Sequence, residues 1–123
     1  MENNIIFTGT RDKKNAERYR DKIKEILENL ILEKSNINIL HGGCTGVDKI
    51  VDDEANKLGL NVIVYPADWK KYGKFAGPMR NKEMLETKAI EIYAFHQDIK
   101  NSKGTKNIME QAKKYNIKRY LYE

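Results

Sequence analysis

Short apolar runs alternate along the chain with longer stretches in which apolar residues recur every three or four positions. Short runs bounded by turn-forming residues are typical of buried β-strands, and the three-to-four spacing is typical of amphipathic helices. Strands are predicted at residues 4–8, 37–40, 61–65, 89–95 and 117–122. Helices are predicted at residues 23–31, 47–58, 78–85 and 105–112.

This order of elements, βαβαβαβαβ, predicts an α/β fold. Its mainly parallel five-stranded sheet carries helices on both faces, which makes a three-layer sandwich. Right-handed crossovers place the strand-to-helix loops at the carboxyl edge of such a sheet, where open α/β sheets bind ligands. The loops after the first four strands are therefore the candidate functional segments.

The composition fits one globular domain spanning residues 1–123, with 40% hydrophobic and 33% charged residues. No apolar run reaches the roughly 18 residues that would span a membrane, and no signal peptide is recognisable. We therefore expect a cytoplasmic protein with no membrane partner. Cys44 is the only cysteine, which excludes an intrachain disulfide. The net charge of +5 favours an anionic partner, and the dispersed lysines favour a local anion pocket over a nucleic-acid surface.

The loop HGGCTGVD follows the second strand and opens a helix. Its glycines permit close backbone approach, and backbone amides at such a turn are suited to hold a phosphate. The alternative is a tight turn that needs glycine for geometry alone. The candidate binding residues in this loop are Gly42, Gly43, Cys44, Gly46 and Asp48.

A second cluster, GKFAGPMRN, places Pro78 at the start of a helix and Arg80 and Asn81 in its first turn. An arginine there opposes the helix dipole, which favours anions at that end. Its position is easier to explain if the guanidinium grips a phosphate or carboxylate. The alternative is a structural pair between Arg80 and Asp48 or Asp68.

The remaining loops of this edge carry further candidate residues. Hydroxyls, a glycine and an arginine that suit a phosphate or ribose follow the first strand, at Thr8, Gly9, Thr10 and Arg11. The segment SKGT opens the last helix, where Gly104 and Thr105 form a second anion cradle; the alternative is plain N-capping by Ser102 or Thr105.

The aromatic residues and histidines at the same edge are weaker candidates for a functional role. Trp69 either stacks on a base or closes the core, and Tyr72 and Phe75 are candidates for an aromatic lid with it. His41 and His96 have no metal-ligand spacing and are interpreted as structural histidines. No metal and no cofactor is expected, and the lack of a Cys–His–acid constellation disfavours nucleophilic catalysis by the cysteine.

Four segments in order, TGTRD, HGGCTGVDKIVDDEA, PADWKKYGKFAGPMRNKEML and SKGTKNIMEQAKKYNI, resemble the YspA/YpsA-related branch of the SLOG superfamily. That superfamily also includes the DNA-processing protein DprA and the LOG phosphoribohydrolases. The resemblance implies a Rossmann-like sheet that binds nucleotides or nucleotide-derived signals, such as cyclic ADP-ribose species, at its carboxyl edge. It also implies a homo-oligomer, for which Tyr120 and Tyr122 offer some support.

The resemblance to LOG enzymes extends to part of their active site. Arg80 matches their arginine, Asn81 replaces their lysine, and Gly104 and Thr105 match their Gly-Thr pair. Ile108 occupies the position of their catalytic glutamate, so binding without turnover is favoured. Asp48 and Glu83 remain candidate substitutes for that carboxylate.

We therefore expect a sensor or sequestering protein for an ADP-ribose-like or cyclic nucleotide, with a role in phage counter-defence as one version. The expected ligand-binding residues also include Asp68 and Trp69. Three alternatives stay open: a nucleotide N-glycosidase or phosphohydrolase with a carboxylate other than that of LOG enzymes, a nucleic-acid-binding protein, and a structural or regulatory role without a small-molecule ligand.

Overall fold

Five parallel strands form the sheet of the computed structural model, which describes residues 2–123. Their order across the sheet is β3-β2-β1-β4-β5, with every neighbouring pair parallel. The strands are β1 Asn3–Gly9, β2 Ile37–His41, β3 Asn61–Val64, β4 Glu91–Phe95 and β5 Lys118–Tyr122. This confirms the Rossmann-like α/β fold and the five-stranded sheet.

Six α-helices connect the strands in the described part of the chain. They are α1 Lys13–Glu17, α2 Arg20–Glu33, α3 Val47–Lys57, α4 Trp69–Tyr72, α5 Ala76–Glu86 and α6 Gly104–Ala112. Short 3₁₀ turns occur at Gly73–Phe75, Ile99–Asn101 and Lys113–Tyr115. Within residues 2–123, no helix combines the length and the apolar character needed to cross a bilayer.

The sheet separates two hydrophobic cores, because successive side chains of a strand point to opposite faces. Ile5 and Phe7 of β1 pack under α2 and α3, whereas Ile6 packs on the other face under α5 and α6. All three residues are fully buried. The central strand therefore lies between two helical layers, and its carboxyl end is held in a fixed position at the sheet edge.

The start of α5 differs from the prediction. The helix begins at Ala76 rather than at Pro78. A proline at the third helical position is tolerated because the first four amides of a helix have no acceptor in the helix. Arg80 and Asn81 consequently lie in the second turn, so the prediction that they occupy the first turn was wrong.

Candidate functional site

A cavity of about 660 Å³ opens at the carboxyl edge of the sheet, where the strand order reverses between β1 and β4. Its size is within the range of small-molecule sites. The segments after β1, β2, β3 and β4 and the helices α5 and α6 form its walls. The predicted residues that line it are Thr8, Gly9, Arg11, Gly42, Cys44, Asp48, Trp69, Arg80, Asn81, Gly104 and Thr105.

Three predicted site residues lie outside the cavity wall, because each has a local structural task. The exposed Asp68 caps α4, its Oδ1 accepting from the Lys71 amide at 3.1 Å. Gly43 donates its amide to Nδ1 of His41 at 3.0 Å. Gly46 is the residue before α3, at φ +78°, and packs against the backbone of Thr10.

The amides of the glycine loop are occupied by a side chain of the protein. Asp48 is only 6% exposed, and its Oδ2 accepts from the amides of Gly42 at 3.2 Å and Cys44 at 3.1 Å. The prediction that these amides hold a phosphate is therefore corrected, because the carboxylate already takes that place. Gly42 is instead required for close packing, since a Cβ atom there would lie 2.7 Å from Cζ of Arg80.

Arg80 is a buried cation without a carboxylate partner. It is 6% exposed, and no carboxylate of residues 2–123 lies within 4.0 Å of its guanidinium. Nη1 donates to the carbonyls of Gly42 at 2.8 Å and Tyr65 at 3.5 Å. Nη2 has no hydrogen-bond partner in the described residues, yet it is not sealed from solvent. The alternative of a direct ion pair with Asp48 or Asp68 is therefore not formed, although the charge of Arg80 does act on the pKa of Asp48.

Asn81 links Arg80 to the last helix. Its Oδ1 accepts from Nε of Arg80 at 2.9 Å, and its Nδ2 donates to the Gly104 carbonyl at 3.3 Å and to Oδ1 of Asn107 at 3.1 Å. A lysine at this position has no acceptor for the arginine. Asn81 is therefore best described as a positioning residue that sets α5 against α6.

The beginning of α6 forms a second polar wall of the cavity. Ser102, which precedes the N-cap residue Lys103, accepts from the Lys106 amide through its Oγ at 3.0 Å. The hydroxyl of Thr105, a residue 4% exposed, has no hydrogen-bond partner among residues 2–123. Nη2 of Arg11 lies 3.7 Å from the place that a Cβ atom on Gly104 would take. Amides, a hydroxyl and a guanidinium thus converge at this helix end.

Several wall residues escaped the sequence analysis. Lys74 and Lys103 line the cavity and add two cations to those of Arg11 and Arg80. Lys103 directly precedes Gly104, a position from which its role could have been inferred; Lys74 gives no such signal. The other wall residues without a predicted binding role are Asp12, Gly77, Pro78, Met84, Ser102 and Asn107, whereas Thr10 is one of the hydroxyls predicted to suit a phosphate or ribose.

The two histidines have different positions. Nδ1 of His41 accepts a backbone amide, so Nε2 carries the proton and donates to Oδ1 of Asp52 at 2.8 Å. His41 lies outside the cavity wall, which fits the structural interpretation. His96 lies in the wall, and burial lowers the pKa of its ring. Its Nδ1 accepts from the Asp98 amide at 2.9 Å, which leaves Nε2 as the free donor.

Of the two carboxylates considered for catalysis, Asp48 and Glu83, Asp48 alone lies in the cavity wall. Glu83 is exposed on α5 and lies outside the cavity wall, so it cannot replace a catalytic glutamate there. Ile108 is fully buried in the core under α6, and the residues of this helix that line the cavity, Gly104, Thr105 and Asn107, include no carboxylate. Among residues 2–123, no group of three histidine, cysteine or acidic side chains is placed to hold a metal ion.

Asp48 is the remaining acidic candidate in the cavity. Burial raises the pKa of its carboxyl, while His41, the Cys44 amide and Arg80 act in the opposite direction. Oδ1 has no hydrogen-bond partner among the described residues, because both loop amides donate to Oδ2. The carboxyl is therefore placed to keep its proton at a higher pH than a free aspartic acid.

This raised pKa predicts a pH-dependent contribution to stability. A carboxyl whose pKa rises on folding stabilises the fold while protonated, and this contribution is lost as the pH rises through its native pKa. From about pH 4 to about pH 8, the free energy of unfolding of the wild type should therefore fall relative to that of Asp48→Asn. Urea denaturation across this range measures the difference. A difference that stays constant or grows in favour of the wild type would contradict the raised pKa.

Comparison with known proteins identifies relatives of this chain. Residues 3–72 match the model of the YspA, cpYpsA-related SLOG family. The gene 61 protein of Mycobacterium phage D29 is 32% identical over 118 residues, which cover 92% of this chain and 90% of the phage protein.

Two solved structures share the fold. The DNA processing protein A (DprA) from Streptococcus pneumoniae matches 98% of this chain with a TM-score of 0.72 and 15% identity. The chain spans 50% of the length of that protein. The structural genomics target TM1055 matches 89% of this chain, and 68% of its own, with a TM-score of 0.68 and 18% identity. At these identities the likeness shows the fold alone.

Proposed function

The chain belongs to the YspA, cpYpsA-related SLOG family, and from this premise we propose that it binds a phosphate-bearing nucleotide in the edge cavity. Family membership suggests a function related to nucleotides or nucleic acids. The observation that carries the proposal is Arg80, buried in the cavity wall with no carboxylate partner and with Nη2 free. A buried cation is costly unless it is paired, and an anionic ligand would supply the missing partner.

Two groups of donors favour a ligand with two phosphates. In the proposed complex Arg80 donates to one phosphate, and the amides of Gly104 and Thr105, with the Arg11 guanidinium, donate to the other. Charge-assisted hydrogen bonds contribute about 1.5–3 kcal/mol each, so a few of them support micromolar affinity after the entropy cost of binding. ADP-ribose-like molecules have this pair of phosphates. In the proposed complex their sugars lie in the cavity beside the ends of α5 and α6.

Trp69 is the proposed contact for the base. Its side chain lines the cavity and is 52% exposed, so it does not serve to close the core. Stacking on a base contributes about 1–3 kcal/mol. The other aromatic candidates, Tyr72 and Phe75, lie outside the cavity wall, and Phe75 is 60% exposed.

A binder of this kind would act as a sensor or as a sequestering protein for a nucleotide signal. The relative encoded by a mycobacteriophage supports a version in which the protein blunts host nucleotide signalling. Neither version needs a catalytic group, and the α6 side chains in the cavity wall, those of Thr105 and Asn107, are a hydroxyl and an amide rather than a carboxylate.

A second candidate function is hydrolysis of the N-glycosidic bond of the bound nucleotide, with Asp48 as the proton donor to the leaving base. The raised pKa and the free Oδ1 of this carboxyl favour it. A water molecule would then attack the sugar carbon as the base leaves with its bonding electrons, and the proton lost by this water would restore the Asp48 carboxyl. In this case Asp48→Asn should abolish cleavage and retain binding.

A thermal-shift experiment tests these functions. The protein is heated with AMP, ADP-ribose, NAD, cyclic ADP-ribose isomers and cyclic dinucleotides, and the ligand is then chromatographed. Stabilisation of about 2.7 kcal/mol at a ligand concentration a hundredfold above Kd, with intact ligand recovered, is the result expected of a binder. Release of a base would support the hydrolase. No shift with any compound would overturn both functions and favour nucleic acid, tested by salt-dependent binding of oligonucleotides.

The stacking role of Trp69 predicts a selective loss of affinity. Trp69→Ala should weaken ADP-ribose binding about tenfold, which corresponds to about 1.4 kcal/mol, because one stacked face of the base is lost. Binding of ribose 5-phosphate, which has no base, should not change. Phe75→Ala removes a neighbouring exposed ring outside the cavity and is the matched control. If Trp69→Ala lowered the affinity for ADP-ribose and for ribose 5-phosphate by the same factor, the stacking role would be contradicted.

A further inference from the structure

Strand β5 is an open edge of the sheet. It pairs with β4 on one side, and the sheet ends there in the described residues. The outward N–H and C=O groups of Lys118–Tyr122 therefore have no partner strand. The strand contains no proline, which would block further pairing. Such an edge is a template for pairing with another strand.

Two rows of stacked aromatic rings end at this edge. Tyr120 stacks on Tyr93 of β4 with ring centroids 4.8 Å apart, and Tyr122 stacks on Phe95 at 5.0 Å. Tyr120 is 36% exposed, and Leu121, on the opposite face, is 39% exposed. Both faces of the edge strand thus present apolar side chains to solvent beside unpaired backbone groups.

We propose that two copies of this chain pair antiparallel through β5 and form one continuous ten-stranded sheet. The two copies are related by a two-fold axis perpendicular to the sheet, so each residue opposes a residue on the same face of the second copy. The register can therefore change only in steps of two residues. Residues 119, 121 and 123 share the face of α5 and α6, where Arg119 donates to the carbonyl of Met109 at 3.4 Å. Residues 118, 120 and 122 share the other face.

The side chains select one register, in which Leu121 opposes Leu121 of the second copy. Tyr120 then opposes Tyr122 of the second copy, so the aromatic rows of both copies continue across the junction. Arg119 opposes Glu123 of the second copy as a cross-strand ion pair. In the register where Tyr120 opposes its own copy, Arg119 would lie opposite Leu121. In the register where Arg119 opposes its own copy, two arginines would face each other.

Disulfide cross-linking tests the register directly. In a Cys44→Ser background, Leu121→Cys places two thiols on directly opposed residues, whose Cα atoms are about 4.5–5.5 Å apart in an antiparallel pair. This distance is within the range of a disulfide. Arg119→Cys lies on the same strand and face. In the proposed register, however, residue 119 of one copy lies four residues along the strand from residue 119 of the other, a separation of about 14 Å at about 3.4 Å per residue. We expect oxidation with copper phenanthroline to give at least a tenfold higher dimer yield for Leu121→Cys.

Light scattering supplies the second test. The wild type should show a dimer that dissociates on dilution, and Leu121→Lys should be monomeric. At a dilution where the wild type is also monomeric, the two should have the same melting temperature, because the replaced side chain is exposed. A wild type that stays monomeric at several hundred micromolar, equal cross-linking at the two positions, or a dimer that survives Leu121→Lys would each overturn the proposal. None of these outcomes depends on nucleotide binding.

Discussion

Replacing Arg80 with alanine is expected to lower the affinity for ADP-ribose about a hundredfold. Arg80 lies in the cavity wall, and a guanidinium binds a phosphate through charge-assisted bonds of about 1.5–3 kcal/mol each. A loss of about 2.7 kcal/mol corresponds to this hundredfold change. Isothermal titration calorimetry of the variant and the wild type measures it.

Two further variants separate the ligand contact of Arg80 from its part in the fold. Lys82→Ala removes a cation from the outer face of α5, where it pairs with Glu86 at 3.7 Å, and should leave the affinity unchanged. Arg80→Lys keeps the charge but loses the planar fork, so an intermediate affinity is expected. Arg80→Ala that keeps its melting temperature and binds ADP-ribose as tightly as the wild type would disprove the contact.

Replacing Gly46 with alanine is expected to have the largest effect on stability, about 3 kcal/mol or more. This glycine has φ +78°, and a Cβ atom would overlap the Thr10 carbonyl and lie 2.8 Å from Cα of Arg11. The loop after β1 would have to move away from α3, to which it is bound by the Val47 amide donating to Thr10 at 2.9 Å.

Gly59→Ala is the matched control for this prediction. Gly59 has a similar φ of +71°, but no atom lies within 4 Å of its Cβ position. Its replacement adds backbone strain alone, about 1 kcal/mol. Urea denaturation of both variants therefore separates strain from the overlap with the first loop. Equal destabilisation by the two substitutions would show that the contact between the loops does not hold the site together.

The fold was predictable from the sequence because its signals are local. The run from Ile5 to Phe7 is apolar without interruption, as expected for a strand buried on both faces, and all three residues are fully buried. The right-handed crossover rule then placed the loops on one edge. The helical α4 between β3 and α5 was not predicted, because its residues Trp69–Tyr72 have no buried stripe.

The candidate site was predictable as a set of loops but not as a set of contacts. Arg80 was predicted to lie in the first turn of its helix. The helix begins at Ala76, so Arg80 lies in the second turn, yet it does line the cavity. Its partners, the carbonyls of Gly42 and Tyr65, belong to other loops. Neither contact has a signature in the local sequence.

Asp48 illustrates a signal that could have been used. An acidic residue in the first turn of a helix commonly accepts from free amides of the preceding loop. The sequence already places Asp48 in the first turn of the helix that follows the glycine loop. That spacing was compatible with a carboxylate in the place assigned to a phosphate, and the structure contains this arrangement.

A calorimetric titration with ADP-ribose and, separately, with adenosine tests the central claim most directly. A cavity that recognises phosphates through Arg80 and the start of α6 should bind one ADP-ribose per chain at micromolar Kd. Adenosine retains the base and ribose but has no phosphate, so it should bind at least a hundredfold more weakly. Equal affinities for the two compounds, or no heat of binding with ADP-ribose, would contradict the claim.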